Sequence, residues 1–448
     1  MDIVLHWFRA DLRVHDNEPL WRYRDAQQLL PLFVYPERWF DRSPAGFRRT
    51  GAARARFLLE TVSELERELA ARGSRLLSLR GDPAKVVAAV AAEIGATVVT
   101  CASESAPEER GEEARLLHLL PTGTRLERFH TRTLYSGGEL PFDPADMPDV
   151  FTAFRKAVER ESTVLAPVPT PEQFPPAPQH PAATEPTGGA AGSWAAIAPP
   201  PASAAELGGF GPEDDDRAVL RFHGGETAAL RRLDEYFWQR DRLRSYKWTR
   251  NGLLGADYSS KFSPWLANGS LSPRTVHAEV RRYERERKKN VSTYWLIFEL
   301  IWRDYFFFLA AKYGPRLFAI DGPARRKLPW RNDAETFSLW QEGRTGEPFI
   351  DANMKELAAT GFMSNRGRQN VVSYLARDLG VNWTWGAEYF EEVLIDYDPA
   401  SNWGNWTYNA GVGTDPRLDR YFDPKTQAAK YDPKGDFVRT WMSPGLGL

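Results

Sequence analysis

Along the first third of the chain, short β-rich runs with apolar cores fall at 2–8, 30–35, 75–79, 96–101 and 125–130. Between them lie one-sided stretches at 51–72, 82–94 and 107–117, in which apolar positions recur every three or four residues. Short apolar runs bounded by turn residues read as strands buried on both faces, and the stretches between them as crossover helices. The alternation predicts a doubly wound parallel sheet. No Gly-x-Gly-x-x-Gly follows the first strand, so a dinucleotide clamp of the usual dehydrogenase kind is not indicated. A ligand of such a sheet lies at the carboxyl ends of the strands. Glu104, just past the fourth run, is a candidate contact there, with a solvated loop glutamate as the plainer alternative.

From Ser162 to Gly211 the chain turns rich in Pro, Ala and Gly, with PPAPQHPAATEP and APPPASAA as its extremes, which reads as a linker. Beyond it the strand pattern fades. Helical periodicity takes over at 226–240, 272–288, 292–312, 336–342, 354–359, 365–379 and 386–394. The expected organisation is an α/β domain over 1–160, a linker over 161–206 and an all-α domain over 207–448. A chain of 448 residues is long enough for two cores.

Charge is nearly balanced, 58 Lys and Arg against 60 Asp and Glu, which argues against a wholesale nucleic-acid coat yet permits a local basic groove. The single Cys101 leaves no disulfide framework or Cys-rich zinc site and points to a reducing compartment. The start MDIVLHWFRADLRV lacks the pattern of a secretory signal, so a cytoplasmic location and no membrane span are expected. The apolar run 294–311 carries Glu299, Arg303 and Asp304, each costing roughly 2.5–3.5 kcal/mol at a bilayer centre. It reads as a buried helix of a water-soluble domain. No metal site is indicated.

Candidate chemistry concentrates in 360–408. Asn365, Arg366 and Arg368 open one helical run, Asp396 and Asp398 follow another, and Trp383, Trp385, Trp403 and Trp406 lie between. Cations, carboxylates and indoles at this density suit an enclosed site for an aromatic, partly charged cofactor, and equally a helical core with buried ion pairs. An arginine stays charged, so a buried Arg368 requires Asp396 or Asp398. With 16 tryptophans in the chain, some rings are expected to face a ligand or one another. In YSSKFSPWLANGSLSPR, Ser259, Ser260 and Ser263 flank Lys261 before a helix start, which suits a diphosphate cradle or a capping cluster. Glu299 and Arg303 lie four apart on one helix face, either as a structural bridge or as a pocket wall. Basic residues from Arg250 through Arg281, Lys288, Arg325 and Arg331 supply either a phosphate-binding rim or a solvated face.

These motifs resemble those of the cryptochrome/photolyase flavoproteins, and within them the DASH cryptochromes, over nearly the whole chain. The likeness rests on WFRADLRVHDNEPL, TLYSGGELPFDPADMPDVFTAFRKAVE, YSSKFSPWLANGSLSPR, STYWLIFELIWRDYF and the 360–408 stretch, all in the family's order. It implies an N-terminal α/β antenna domain joined by a surface linker to a helical FAD domain. It places Tyr246, Ser259, Ser260, Lys261, Phe262 and Ser263 around the FAD phosphates. Glu299, Arg303, Asn365, Arg368, Asp396, Tyr397, Asp398 and Asn402 would surround the rest of the cofactor, with Asn402 facing the flavin N5. Trp406, Trp383 and Trp330 match the tryptophan chain that carries an electron to photoexcited flavin. Arg250, Glu299, Trp302, Asn365, Gln369 and Tyr408 match the substrate pocket, and Glu104 a glutamate holding 5,10-methenyltetrahydrofolate. Asn268 and Ser270 stand where a larger apolar residue and a cysteine are expected, a change that bears on packing more than on chemistry.

The resemblance implies a monomeric, light-driven FAD enzyme that splits cyclobutane pyrimidine dimers, chiefly in single-stranded DNA, by lending an electron to the dimer and recovering it. Its alternatives are a blue-light photoreceptor that binds DNA and regulates transcription without repair, and a plain electron-transfer flavoprotein. The chain stops soon after Trp441, so signalling through a long tail is not expected.

Overall fold

A computed structural model of the chain describes residues 2–178, 197–211, 214–417 and 420–443. Strands β1 (Ile3–Phe8), β2 (Gln28–Pro36), β3 (Leu77–Gly81), β4 (Val98–Ala102) and β5 (Arg125–Phe129) pair in parallel in the order β3-β2-β1-β4-β5. Helices α1 (Ala52–Ala71), α2 (Pro83–Ile94) and α3 (Pro107–Leu119) complete the crossovers. Alternate side chains of β1 enter opposite cores: Val4 and Phe8 pack with Leu58 and Val62 of α1, and Leu5 and Trp7 with Val86 and Val90 of α2. Because β2 and β4 flank β1, winding reverses there and a crevice opens past the ends of β1 and β4.

Among the described residues, eight further helices of nine residues or more form the frame of the second core. They are α4 (Phe151–Glu161), α5 (Glu226–Asp234), α6 (Pro273–Glu286), α7 (Val291–Tyr313), α8 (Pro348–Thr360), α9 (Asn365–Ser373), α10 (Trp383–Val393) and α11 (Pro399–Ala410). Two of the expected helices, 226–240 and 365–379, end in π-helical turns at Glu235–Gln239 and Tyr374–Asp378. Helix α10 starts at Trp383 rather than 386, because Asn382 accepts the Thr384 N–H and caps it. Helix α11 is absent from the periodicity reading. Asn402, Gly404, Asn405 and Asn409 interrupt its apolar stripe and are weak helix formers, so the helix rests on its ends. Asp398 caps the Ser401 N–H at 2.7 Å, and Pro399 takes the first position.

The segments leading into and out of 179–196, the centre of the expected linker, are pinned to the sheet domain; 179–196 itself lies outside the described residues. Phe174 sits in the strand core, Pro176 O accepts from Leu29 N, and Ala198 O accepts from Arg80 N beside β3. The expected boundary at 206 falls inside a short helix, Ala204–Gly208, whose Leu207 joins the same core. Helix α4, although it precedes the linker, packs on α7 through Phe151 and Phe154.

The two domains meet at Gly269. Its φ of +77° and its approach to the Ala10 backbone leave no room for a side chain. The buried Arg13 guanidinium donates to Gly269 O at 2.8 Å and Thr131 O at 2.9 Å. Asn268 and Ser270 replace apolar packing with hydrogen bonds: Asn268 donates to Thr61 Oγ1 at 3.0 Å and accepts from the Ser270 hydroxyl at 2.7 Å.

Candidate functional site

A recess of about 80 Å³ opens in the helical domain, walled by α9, α10, α11 and the turn between the last two. Arg368 Nη2 donates to both oxygens of Asp396, at 2.9 and 2.8 Å. The Asp396 side chain is only 2% exposed, so the alternative pairing of Arg368 with Asp398 is not the one made. Asp398 pairs with Arg132 at 2.6 Å instead. Burial works to raise the Asp398 carboxyl, but Arg132, Arg303 and the Ser401 hydrogen bonds outweigh it and hold its pKa below the usual value.

Asn365, Gln369, Tyr397, Asn402 and Trp406 also line the recess. Asn402 Nδ2 is tied to Ala387 O at 3.0 Å, which fixes the amide plane. The Gln369 and Asn409 carbonyl oxygens and the Trp406 indole N–H are buried there without hydrogen-bond partners. Such groups cost about 1–3 kcal/mol each unless something answers them. A flat ring bearing both donors and acceptors on its edge meets that need, and the isoalloxazine of FAD is such a ring.

The hydroxyl stretch lies across α8 and α9. Ser260 is buried and Ser263 exposed at the start of a short helix, Ser263–Asn268, while Phe262 and Tyr246 pack in the core. Lys261 reaches one cradle hydroxyl, donating to Ser259 Oγ at 3.5 Å. It takes a left-handed backbone, φ +58°, and sends its ammonium inward over Tyr258, 3.0 Å from the ring centre. Glu299 and Arg303 do not pair. Arg303 donates to the carbonyls of Arg132 and Leu266, whereas Glu299 binds Arg250 at 2.7 Å and accepts from Trp295 Nε1 at 3.1 Å. Trp302 stacks on Phe151 at 3.5 Å and meets the Tyr408 ring edge-on at 5.8 Å.

Trp406 and Trp383 are buried and Trp330 is half-buried. Trp406 lies against Gly386, one turn after Trp383 on α10, where any larger residue would strike its ring. Trp383 meets Trp403 at 5.6 Å and donates to Ile320 O at 3.0 Å. The segment bearing Trp330 runs beside the start of α10, with Asn382 N bonded to Arg331 O. The three expected tryptophans therefore follow α10 from the recess outward.

A second, larger cavity of about 430 Å³ fills the crevice past β1 and β4 and is closed by the helical domain. Trp7, Phe33, Trp39, Phe318, Tyr397 and Trp403 give it aromatic walls. Glu104 reaches it and is buried, not solvated. Its pKa is pushed up to about 7 by burial, against the pull of Arg132 and Arg9. Arg132 binds Glu104 through one nitrogen and Asp398 through another, and so ties the cavity to the cap of α11. The sequence reading missed Arg132, although an arginine just past a strand end of such a sheet sits where ligands are met.

Comparison with known proteins agrees with this layout. Residues 4–175 match the DNA photolyase family and residues 295–445 the FAD-binding domain of DNA photolyase. A cryptochrome DASH from Gloeobacter violaceus is 50% identical over 99% of this chain and 86% of its own length. The crystal structure of a Synechocystis sp. PCC6803 cryptochrome, 45% identical, superposes with a TM-score of 0.92 over 98% of this chain and 88% of that one. An archaeal photolyase from Sulfolobus tokodaii, solved with two FAD molecules, is 25% identical with a TM-score of 0.74 over 98% and 90%. The chain, with its α/β domain closed onto a helical FAD-binding domain, belongs to the cryptochrome/photolyase family and, within it, to the DASH cryptochromes.

Proposed function

We propose that the protein repairs cyclobutane pyrimidine dimers, mainly in single-stranded DNA, by light-driven electron transfer. The observation that carries this reading is the recess itself, where unpartnered amide oxygens and the Trp406 indole face the Arg368–Asp396 pair. Bound there, FAD supplies the electron that opens the dimer ring and takes it back. Arg368, Asp396 and Asn402 would hold and orient it, Asp398 caps α11, which carries Asn402, and Trp406, Trp383 and Trp330 would pass electrons in from the surface.

In this reading the substrate mouth is formed by the Glu299–Arg250 pair, 2.7 Å apart, together with Gln369 and Tyr408. Burial raises the Glu299 pKa against Arg250, so it holds a proton more readily than a free carboxylate and can donate to a dimer carbonyl. Flipping a dimer out of a duplex costs a few kcal/mol, least where the bases are already unpaired. Gln369 and Tyr408 bring polar atoms rather than a large apolar face, so they recover less of that cost.

The cavity past β1 and β4 is the antenna site in this reading, with Glu104 holding 5,10-methenyltetrahydrofolate between the aromatic walls. The decisive experiment illuminates reduced protein with a dimer in single-stranded, looped and duplex oligonucleotides and follows recovery of normal thymine. Repair of the unpaired substrates and little of the duplex supports the proposal, and Gln369→Met with Tyr408→Trp should narrow the gap. Equal repair of all three overturns the strand preference. Repair of none, with the flavin still photoreducible, favours a DNA-binding photoreceptor.

A further inference from the structure

Trp248 stands apart from the other tryptophans. It is 70% exposed and is the only exposed tryptophan among the described residues. Its place in a single helical turn, Tyr246–Thr249, holds it out from the surface. The neighbouring Lys247 ammonium lies 5.0 Å from its ring centre and 4.5 Å from that of Trp295, so one cation sits against two indoles. Lys247 makes no ion pair among the described residues. Trp295 in turn bonds Glu299 and carries Arg250 5.5 Å from its ring. A continuous strip of ring, cation, ring and cation therefore runs from solvent to the lip of the substrate mouth.

Positive charge gathers beside the strip. Arg366 has no carboxylate partner among the described residues; it donates to Asn251 Oδ1 at 3.1 Å and lies 4.5 Å from the Tyr431 ring. Burial and then the nearby charges of Tyr431, Arg250 and Arg420 shape its ionisation, the two arginines disfavouring its charged form. Cations crowded next to exposed aromatic faces complement a polyanion whose units carry flat rings, which is what single-stranded nucleic acid presents.

We infer that Trp248, with Lys247, forms a second nucleobase subsite that stacks an unpaired base flanking the dimer at the substrate mouth. The inference rests on the proposed single-strand substrate and assigns the strand a direction across the surface. A base on Trp248 uses the open indole face, while Lys247 and Arg366 meet the phosphates leading inward.

The test uses the FAD-loaded protein and single-stranded oligonucleotides with one thymine dimer and zero to four nucleotides on either side. Wild-type affinity should rise when nucleotides are added on one side only. Trp248→Ala should remove that gain, weakening binding roughly 5- to 20-fold, at the lower end of what stacking on an aromatic residue provides. Trp248→Phe should keep most of it. An abasic unit at the critical flanking position should cost the wild type the same factor and cost Trp248→Ala nothing further, because the two changes remove one contact. Lys247→Ala should lower the salt slope by about one, and Trp248→Ala should leave it unchanged. Tight wild-type binding that Trp248→Ala leaves intact at every strand length overturns the subsite alone. Failure of the wild type to bind any strand overturns the subsite together with the DNA-repair reading.

Discussion

The cavity of about 430 Å³ draws its walls from strand ends, α1, the start of α3 and, from the helical domain, α10, α11 and the segments at 267–268, 315–318 and 395–397, spanning Trp7 to Trp403. The recess of about 80 Å³ comes from one continuous stretch, Asn365 to Asn409. The first combines aromatic walls with arginine–glutamate pairs such as Arg132–Glu104; the second places charged and amide groups around its walls. A site made by closing two domains needs surfaces that merely fit, whereas one made within three successive helices can aim individual donors and acceptors. The cavity thus suits a ligand held by enclosure and the recess one whose electronic state must be tuned.

Removing the pair at the head of the recess should separate the sites most sharply. Arg368→Ala strands the buried Asp396 carboxylate, at a cost of about 3 kcal/mol, near the low end for such pairs because Arg368 is partly exposed. The variant should purify without flavin absorbance yet still take up added methenyltetrahydrofolate. Loss of both ligands would show that the cavity depends on the recess. Next in size, Trp406→Phe should slow photoreduction by external reductant by an order of magnitude or more while leaving FAD bound, and Trp383→Phe should do likewise. Unchanged photoreduction in both would make the two indoles core residues only.

The same contrast explains what could be read from the sequence. The recess residues lie within 45 positions of one another, so Asn365, Arg368, Asp396, Asp398 and Asn402 were visible as a group. The helix carrying Asn402 and Trp406 was not, because its asparagines and glycine hide the period. Strands β1, β2 and β4 stand out as apolar runs, since both their faces are buried, whereas the edge strands β3 and β5 keep polar positions toward solvent. The cavity offered only Glu104. Its partner Arg132 lies 28 positions away and is joined to it by folding alone, and the Arg250–Glu299 pair displaced the local Glu299–Arg303 pairing for the same reason.

Glu104→Ala sharpens the comparison from the cavity side. The carboxylate is answered by Arg132, and a hydrogen bond involving a charged group contributes about 1.5–3 kcal/mol, so pterin affinity should fall roughly 10- to 100-fold with flavin unaffected. Flavin lost in parallel would mean that the Glu104–Arg132–Asp398 chain supports α11 and not a cavity ligand.

The smallest expected effect concerns a second buried carboxyl, which unlike Glu104 has no partner. Glu356 on α8 is fully buried, both its oxygens lack hydrogen bonds, and burial pushes its pKa up to about 8, against Lys261 and Arg368. A carboxyl raised in this way keeps its proton in the folded state at pH values where the unfolded chain has lost it. Between the ordinary glutamate value and about pH 8 the folded protein therefore binds more protons than the unfolded, and stability declines as pH rises through that window. Glu356→Gln removes the titration but introduces an amide N–H that is also unpaired, which offsets part of the gain. The variant should be less stable than the wild type at pH 5 and more stable at pH 8, with the crossover in between. Denaturation of the FAD-loaded proteins across this range measures it. Parallel curves at every pH would show that Glu356 finds a partner, and that the helical domain answers its buried carboxyls as fully as the cavity answers Glu104.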